Sequence, residues 1–220
     1  MNRVEVVVAH WKRPANIQPI LDALRSQTIP VTCTVTDTYE SDTPKPIGWD
    51  RHFLMPNMGA WNRIAIAGAY DHEFTLLLDD DVLPCPSMCE SFLNMADGIG
   101  KRFACLGYTG RRYQFNAIHR IEKVVSPEWC NWITQCYFLN TADIHWTLRE
   151  LHRAGLKIKL PSCHFDAVMG YGITRNTGQP CYVIPEPDGM DWANLSQEHA
   201  VSKNDGYEGS LLDTIRRLNS

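Results

Sequence analysis

Short runs of β-branched and leucine residues alternate with segments of helical periodicity along the first half of the chain. Each apolar run is bounded by turn-forming residues, which is typical of buried strands. Strands are predicted at residues 4–9, 31–36, 74–78 and 103–107. Helices are predicted between them, at residues 17–25 and 64–70 and after Pro86. This alternation of strand and helix favours a parallel α/β sheet.

The clearest long helix is predicted in the second half, at residues 141–154. Ile144, Leu148 and Leu151 recur at the spacing of one helix face, so we expect all three to point inward. Gly155 follows them as a residue that commonly ends a helix.

Three other stretches have a distinct composition. Residues 38–49 are polar and contain Ser, Asp and Pro, which predicts a loop. Residues 170–189 are rich in Gly and Pro, and we expect them to form a surface loop at an active site. Residues 209–218 predict a short amphipathic helix, with Ser210 and Asp213 in the positions of a capping box.

The composition is that of an ordinary globular domain. With 220 residues, 44% of them hydrophobic, the chain is long enough for one domain with a full core. Its formal charge of -4 argues against a broadly basic surface for nucleic acid, but it allows a local patch. The eight cysteines lack the spacing of a zinc site, which favours reduced thiols. The N-terminus enters a strand without a signal peptide or membrane anchor, so we expect a cytoplasmic protein.

Three consecutive carboxylates, Asp79, Asp80 and Asp81, follow the apolar run at residues 74–78. Adjacent carboxylates repel one another, so we expect a cation to bind there rather than a plain solvated capping turn. Mg²⁺ and Mn²⁺ take oxygen ligands and share their remaining positions with phosphates. If the triplet is extended, Asp79 and Asp81 point to the same side, and Asp81 is the first choice as metal ligand.

Two more polar groups are predicted at the same edge of the sheet. Ligands of open α/β sheets lie beyond the carboxyl ends of the strands. Residues 10–13 follow the first strand, and Asp37 follows the second. We therefore expect these residues to converge with the acidic triplet, although Asp37 taken alone is equally compatible with a turn residue.

Four motifs follow one another along the chain: Val-Val-Val-Ala-His-Trp-Lys-Arg-Pro, Gln27-Thr28, Asn57 with Gly59 and Asn62-Arg63, and Leu-Leu-Leu-Asp-Asp-Asp-Val. Their order resembles that of a GT-A-fold glycosyltransferase, of the family-2-like or exostosin-like type, over roughly residues 3–205. The resemblance implies a single α/β domain of GT-A (Rossmann-like) type, with a mixed, mainly parallel central sheet flanked by helices. Its nucleotide-sugar half would cover about residues 1–107 and its acceptor half about residues 108–220.

The resemblance implies a donor site for a nucleotide sugar, with a UDP-sugar as the first choice. The base and ribose would lie against residues 10–13, and Asp37 would hold the base. Asn62 and Arg63 would meet the pyrophosphate or the sugar, although Arg63 could instead pair with Asp79. The implied donor-binding residues are His10, Trp11, Arg13, Asp37, Asn62, Arg63, Asp79 and Asp80.

The resemblance also implies a Mn²⁺ or Mg²⁺ cofactor. Its ligands would be Asp81, Asp79 and His199. His199 follows residues 191–194, a tryptophan-containing segment that is plausible as a lid. An isolated histidine is equally compatible with an ordinary surface or core position.

The implied catalytic residues are Asp166 and Arg63. Arg63 would stabilise the departing diphosphate. Asp166 would act as general base on the acceptor hydroxyl in an inverting enzyme, or would position the sugar in a retaining one. A lone Asp at a helix start is also a common N-cap. The expected acceptor contacts are Arg111, Arg112 and Trp132, for which a solvated basic loop and a core aromatic residue are the alternatives.

We therefore expect a metal-dependent glycosyltransferase, either a hexosyl- or a pentosyltransferase, that moves a sugar from a nucleotide-sugar donor to an acceptor hydroxyl. The acceptor classes left open are a glycan, a protein, a lipid-linked sugar and hydroxymethylated DNA bases of the kind that some viruses glycosylate. One alternative is a sugar-phosphate nucleotidyltransferase, although residues 10–14 lack the glycines of its usual loop. The other alternative is a non-catalytic module that binds nucleotides or sugars.

Overall fold

An eight-stranded mixed sheet lies at the centre of the part of the chain that the computed structural model describes, residues 3–38, 47–158, 164–190, 195 and 207–220. The strands are β1 (Val4–His10), β2 (Val31–Thr38), β3 (Arg51–Met55), β4 (Phe74–Leu78), β5 (Cys105–Gly107), β6 (Thr109–Gln114), β7 (Ala117–Glu122), β8 (Glu128–Cys130), β9 (Trp132–Thr134), β10 (Cys136–Asn140) and β11 (Cys181–Val183). The helices are α1 (Pro14–Arg25), α2 (Trp61–Ala67), α3 (Met88–Gly98), α4 (His145–Arg153), α5 (Phe165–Thr177) and α6 (Tyr207–Asn219), with a 3-10 turn at Thr141–Asp143.

The strand order of the central sheet is β3-β2-β1-β4-β10-β5-β11-β8. The first four strands of this order are parallel to one another, whereas β10 runs antiparallel to both β4 and β5. The predicted mixed, mainly parallel sheet is therefore confirmed. Because β1, β2 and β4 are parallel, their carboxyl ends meet at one edge, where ligands of open α/β sheets bind.

A second, three-stranded sheet has the order β7-β6-β9 and is antiparallel throughout. Neither this sheet nor β3 was predicted from the sequence. The strands β6 and β7 form a hairpin whose sequence is mainly polar and basic, so it lacks the continuous apolar runs that identify β1 and β4.

Helices cover both faces of the central sheet. Ile17 and Ile20 of α1 pack with Phe92 of α3 on one face. Ile64 of α2 packs with Val168 of α5 on the other face. All five side chains are at most 3% exposed, and burying a side chain of this kind contributes about 1.5–3 kcal/mol.

None of the helices in the described ranges has the length and apolar character needed to cross a membrane.

The helix predicted at residues 141–154 forms, but its inward face differs from the prediction. Ile144 is buried as expected, whereas Leu148 is 47% exposed. Thr147 and Glu150 face inward instead. Glu150 is buried because Arg153 donates two hydrogen bonds to its carboxylate, at 3.0 and 2.8 Å, and so compensates the charge.

The surface loop predicted at residues 170–189 is wrong, because this stretch forms most of α5 and all of β11. The glycines of α5 allow close packing. A Cβ atom at Gly170 would lie 2.5 Å from the carbonyl oxygen of Asn131 and 2.7 Å from the Cβ of Trp132. A Cβ atom at Gly172 would lie 2.8 Å from the carbonyl oxygen of Trp146. The helix backbone therefore rests directly on β9 and α4.

The capping box predicted at Ser210 and Asp213 is also wrong, because both residues lie inside α6. The oxygen Oγ of Ser210 lies 3.0 Å from Nε2 of His164, so this side chain bridges α6 to the start of α5. Asp213 forms an ion pair with Arg216 on the helix surface.

The packing of α5 predicts a sharp response to one added methyl group. Gly170→Ala should lower the free energy of unfolding by about 1–3 kcal/mol, because backbone atoms of β9 must move. Gly209→Ala is the matched control, since among the described residues a Cβ atom added at this position would meet nothing within 4 Å beyond its own helix, and alanine favours a helix. The control should raise the free energy of unfolding by about 0.5–1 kcal/mol. Urea denaturation measures both values, and a Gly170→Ala variant as stable as the parent would contradict the described contact.

Candidate active site

The turn after β1 carries Arg13 towards the acidic triplet. Lys12 has a φ of 59°, in the left-handed region. Arg13 has a φ of -128° and precedes Pro14, whose ring disfavours a helical conformation at the residue before it. Pro14 then opens α1, a position where its fixed φ is favourable. This reversal of the chain places the Arg13 guanidinium beside the carboxylates.

The acidic triplet forms a turn instead of continuing β4, which ends at Leu78. The N–H of Asp79 donates to the carbonyl of Gln135 at 3.0 Å, and the N–H of Val82 donates to the carbonyl of Asp79 at 3.3 Å. Gln135 has a φ of 71°, so the carbonyl that fixes Asp79 belongs to a left-handed residue. The extended geometry predicted for Asp79 and Asp81 is therefore wrong, because the chain has already turned.

One guanidinium faces two of the three carboxylates. Nη1 of Arg13 lies 2.5 Å from Oδ1 of Asp80 and 3.0 Å from Oδ2 of Asp81. The N–H of Trp11 also donates to Oδ2 of Asp80, at 3.2 Å, and Nδ2 of Asn16 donates to its carbonyl at 2.8 Å. Burial raises the pKa of Asp80 to about 6, against the opposing effect of Arg13.

The third carboxylate pairs with a second arginine. Nη1 of Arg63 lies 2.7 Å from Oδ1 of Asp79. Burial opposes the charge of Arg63, but the Asp79 carboxylate outweighs it, so the pKa of the guanidinium is raised. The guanidinium carbon also lies 5.6 Å from the ring centre of Tyr137 and 5.3 Å from that of Phe165, within cation–π range. The structure thus brings Arg63 to Asp79, which is the alternative left open for it, and direct contact with a donor stays a prediction.

The two members of this pair differ in exposure. The Arg63 side chain is 2% exposed, whereas that of Asp79 is 30% exposed. Within the described residues, the buried Nε of Arg63 has no hydrogen-bond partner. Asp79 is therefore the member whose carboxylate is accessible in the site. Arg63 is buried behind it and holds it by the ion pair.

Asp166 lies on the acceptor side of the predicted site, as the second residue of α5. His164 occupies the N-cap position, so Asp166 is not the helix N-cap. Its Oδ1 accepts the N–H of Ala167 at 2.9 Å. Burial raises the pKa of Asp166 to about 6; the charge of Asp79 also raises it, and Arg111 lowers it. A carboxylate with a pKa near neutrality is suited to general base catalysis.

The aromatic ring of Tyr137 lies between these charged groups. Burial first, and then the charges of Asp79 and Asp166, raise the pKa of its hydroxyl. Its ring centre lies 5.3 Å from that of Phe165 in an edge-on arrangement. The structure therefore brings Arg63, Asp79 and Asp166 around one buried tyrosine.

The predicted base-binding residues meet at the ends of β1 and β2, where His10 is aligned with Asp37. Nδ1 of His10 lies 3.0 Å from Oδ1 of Asp37, and Nε2 of His52 lies 3.4 Å from its Oδ2. Burial lowers the pKa of His10 although Asp37 opposes the shift. Asp37 is thus held between two histidines and is more than a turn residue.

Three predicted site residues have structural contacts that limit their roles. Trp132 is fully buried against α5, which corrects its predicted acceptor contact to a core position. Arg112 donates to Glu128 at 3.1 Å and to the carbonyl of Trp129. Asn62 is 1% exposed and donates to the carbonyl of Pro56 at 3.0 Å, which anchors the entry to α2. The predicted metal ligand His199 and the segment 191–194 lie outside the described residues.

Sequence reasoning missed four residues that shape the site. Asn16 offered a signal, since it lies in the first helical turn beyond a strand end and its amide can reach a neighbouring loop. His52 lies on β3, a strand that was itself missed. Phe165 resembles any core aromatic residue. Gln135 acts through its backbone carbonyl at a positive φ, for which its side-chain type provides no signal.

The carboxylates fit a hard divalent cation. No group of three His, Cys, Asp or Glu side chains comes together as a metal site within the described ranges. Asp79 and Asp81 lie two residues apart in the turn that the hydrogen bond from the N–H of Val82 to the carbonyl of Asp79 closes. Mg²⁺ is commonly held by only one or two carboxylates, with water and substrate phosphates completing the coordination. Asp79 and Asp81 offer that oxygen donor set, and they belong to a triplet whose three carboxylates face two arginines.

Comparison with known proteins finds relatives in structure alone. No model of a protein family and no curated protein matches the sequence. S. aureus TarS 1-349 in complex with UDP matches with a TM-score of 0.65 and 13% identity, over 98% of this chain and 64% of that one. TarS 1-349 alone matches with a TM-score of 0.56 and 15% identity, over 84% of this chain and 58% of that one. A longer TarS chain matches with a TM-score of 0.56 and 14% identity, over 84% and 35% respectively.

The chain therefore spans less than two thirds of each of these TarS chains. TarS is a family-2-like glycosyltransferase of the GT-A fold. At such low identity the similarity establishes architecture, and it agrees with the eight-stranded, mainly parallel sheet described above. The fold of this chain is the GT-A fold of glycosyltransferases.

Proposed function

We propose that the chain is a glycosyltransferase that moves a sugar from a nucleotide-sugar donor to an acceptor hydroxyl. The observation that carries the proposal is that the acidic turn has partners on both of its sides. Arg13 faces Asp80 and Asp81 from the end of β1, and Arg63 faces Asp79 from α2. Similarity to TarS in complex with UDP supports a nucleoside diphosphate as the donor's leaving group.

The donor side is organised for the charge of a diphosphate. Arg13 is 8% exposed and already bridges two carboxylates, so it fixes the shape of the acidic turn. A diphosphate approaching this turn needs compensating positive charge, because the triplet has one more carboxylate than it has arginines. Asp79 and Asp81, with His199 as a third candidate, would hold Mn²⁺ or Mg²⁺ there. When bound, the cation would neutralise negative charge on the leaving diphosphate.

The role proposed for Asp166 is to activate or to position the reactants on the acceptor side of the site. In an inverting transfer its carboxylate takes the proton of the acceptor hydroxyl while the hydroxyl oxygen attacks the anomeric carbon. The bond from that carbon to the phosphate oxygen breaks, and its electron pair leaves with the nucleoside diphosphate. In a retaining transfer Asp166 would position the sugar instead. The anomeric configuration of the product, measured by NMR, separates the two routes.

Nucleotide binding is the first test of this function. UDP with Mn²⁺ should raise the melting temperature, because a ligand that binds only the folded state stabilises it, by about 2.7 kcal/mol at a hundredfold excess over Kd. A differential scanning measurement should include UDP alone, Mn²⁺ alone and free sugars as controls. A UDP-sugar screen with detection of released UDP then identifies the donor sugar.

The outcomes separate the rival functions. Release of pyrophosphate from UTP and a sugar 1-phosphate would replace the proposal with a nucleotidyltransferase. Stabilisation by free sugars or Ca²⁺ without any response to nucleoside diphosphates would indicate a binding module. No response to UDP or to any other nucleoside diphosphate, with or without Mn²⁺, would contradict the proposed donor class.

A further inference from the structure

The hairpin of β6 and β7, together with Lys123, forms a basic projection that the proposed donor site does not use. We call residues 109–123 the basic ribbon. It carries four cations against one carboxylate, Glu122, although the whole chain has a net charge of -4. Its cations are Arg111, Arg112, Arg120 and Lys123.

Like charges face each other across the ribbon. Arg111 lies directly opposite Arg120 in the antiparallel register. Like charges in such cross-strand positions destabilise a hairpin. Arg112 is occupied by Glu128 and Trp129. Arg120 is 56% exposed and forms an ion pair with Glu122 at 2.6 Å, so two facing arginines have one carboxylate between them. Within the described residues, Arg111 forms no ion pair. The pair of Arg111 and Arg120 is therefore an arrangement that an anion would stabilise.

The tip of the ribbon exposes an aromatic ring. Phe115 and Asn116 connect the two strands with φ values of 52° and 60°. Such two-residue turns favour Asn or Gly, and a bulky residue in the left-handed region is strained. Phe115 is nevertheless 89% exposed. The turn thus holds a large apolar side chain in water at the far end of a row of cations.

The end of the ribbon opposite the Phe115 tip, which we call its root, lies close to Asp166, the proposed general base. Arg111 is aligned with Trp132 of β9, and Trp132 packs against Gly170 of α5. Asp166 lies in the first turn of this same helix. A polymer that follows the ribbon from Phe115 to Arg111 therefore reaches Asp166 at its root.

We propose that the basic ribbon binds duplex DNA and presents a hydroxyl-bearing base to Asp166. Arg111, Arg120 and Lys123 contact backbone phosphates, and the ring of Phe115 packs against bases. A two-stranded ribbon fits the major groove of B-DNA, and apolar wedges of this kind unstack base steps. The modified base must leave the helix to reach the partly buried carboxylate of Asp166, as in other enzymes that act on bases. This inference rests on the proposed sugar transfer for its chemistry, but DNA binding itself does not.

The distribution of apolar side chains favours DNA over an anionic membrane. A membrane-binding surface needs a contiguous apolar face bordered by cations. The exposed large apolar side chains here are Phe115 at the tip, Val125 beyond the root, and Trp129, whose ring centre lies 4.9 Å from the Arg112 guanidinium. Arg111 and Arg120 lie between Phe115 and Val125 along the strands. Exposed aromatic rings beside cations are typical of nucleic-acid-binding surfaces, where the rings stack on bases and the cations contact phosphates.

The test is fluorescence anisotropy with a labelled short DNA duplex over a series of NaCl concentrations, without donor. Arg120→Ala and Lys123→Ala should each weaken binding and lower the slope of log K against log[NaCl] by about 1. Phe115→Ala should weaken binding about tenfold without changing that slope. Arg216→Ala, which removes an exposed cation on α6, is the control and should change neither quantity.

Three results would overturn the inference. One is the absence of duplex binding at low salt. Another is unchanged affinity in all three ribbon variants. The third is ribbon-dependent binding to phosphatidylserine vesicles but not to the duplex. Since Arg120 and Phe115 are highly exposed, the variants should fold, and an unchanged thermal shift with UDP and Mn²⁺ verifies this. Loss of the UDP response in the parent protein would instead contradict the donor proposal and leave the DNA measurement unaffected.

Discussion

Asp166→Asn should reduce the rate of sugar transfer by about 10²–10⁴-fold, because an amide cannot take the proton of the acceptor hydroxyl. The binding of UDP should remain unchanged, since the partners of the donor side, Arg13 and Arg63, are retained. Activity is measured as transfer to the acceptor that the screen identifies, and UDP affinity by calorimetry. A fall in kcat without loss of UDP affinity would assign Asp166 to the acceptor side.

The pH dependence provides a second readout of the same residue. Because burial raises the pKa of Asp166 to about 6, kcat/KM of the parent enzyme should fall as the pH drops below about 6. The stability effect has the opposite direction: a pKa raised from 3.8 to about 6 in the folded state favours folding at low pH, and this stability is lost as the pH rises from about 4 to about 6. At neutral pH Asp166→Asn should therefore be the more stable protein, by at most about 3 kcal/mol.

The matched control for this variant is Asp143→Asn. Burial also raises the pKa of Asp143, but this residue lies in the 3-10 turn before α4. Its replacement should leave transfer unchanged. Near pH 4, where the carboxyl group is protonated, the stability advantage of Asp166→Asn should largely disappear. Full transfer activity in Asp166→Asn would exclude the base role, and a flat acid limb in the parent enzyme would exclude the assigned pKa.

Asp81→Ala should abolish metal-dependent transfer and metal-dependent hydrolysis of the donor. The reason is that Asp79 alone would remain of the two proposed carboxylate ligands in the described site. Arg13 would keep its ion pair with Asp80 at 2.5 Å, so the turn after β1 should stay folded. Release of UDP from the donor, measured with and without Mn²⁺, checks the loss of activity. The Mn²⁺-dependent increase in melting temperature should also disappear.

Asp97→Ala is the control for the loss of a carboxylate. Asp97 pairs with Arg3 on the surface, and both side chains are more than 40% exposed, so its removal should have little effect. If Asp81→Ala retained both activity and the Mn²⁺ response, Asp81 would not be a metal ligand. If activity were lost while the Mn²⁺ response persisted, the role of Asp81 would be to hold Arg13.

The strands whose ends form the proposed donor site could be predicted from the sequence because they are buried. β1 and β4 are covered on both faces, so they appear as nearly continuous apolar runs. The strand-end rule for α/β sheets then located Asp37 and the acidic triplet. The strands β6 to β9 carry short, mixed sequences whose burial depends on neighbours from distant parts of the chain. Nothing in their local pattern predicts a second sheet.

The loop predicted at residues 170–189 and the acceptor contact predicted for Trp132 were wrong for the same reason. Both were inferred from the residue type and its neighbours in sequence, whereas packing against distant segments decides them. Gly170 and Gly172 suggested a loop, but they permit the close approach of α5 to β9 and α4. Trp132 suggested an acceptor contact, but the same close approach covers it completely, which is the core position that was its alternative. The triplet geometry failed for a related reason, since the turn at Asp79 is set by the carbonyl of Gln135, which is distant in sequence.

The contact between α5 and β9 leaves no space even for a methyl group at Gly170. A helix in such contact cannot slide or rotate without carrying the strand with it. Asp166 at its start and Arg111, paired to β9 through Trp132, are consequently parts of one mechanical unit. A ligand that displaces the hairpin would therefore displace the Asp166 carboxylate with it, and Gln135, the residue after β9, would pass the same displacement to the N–H of Asp79.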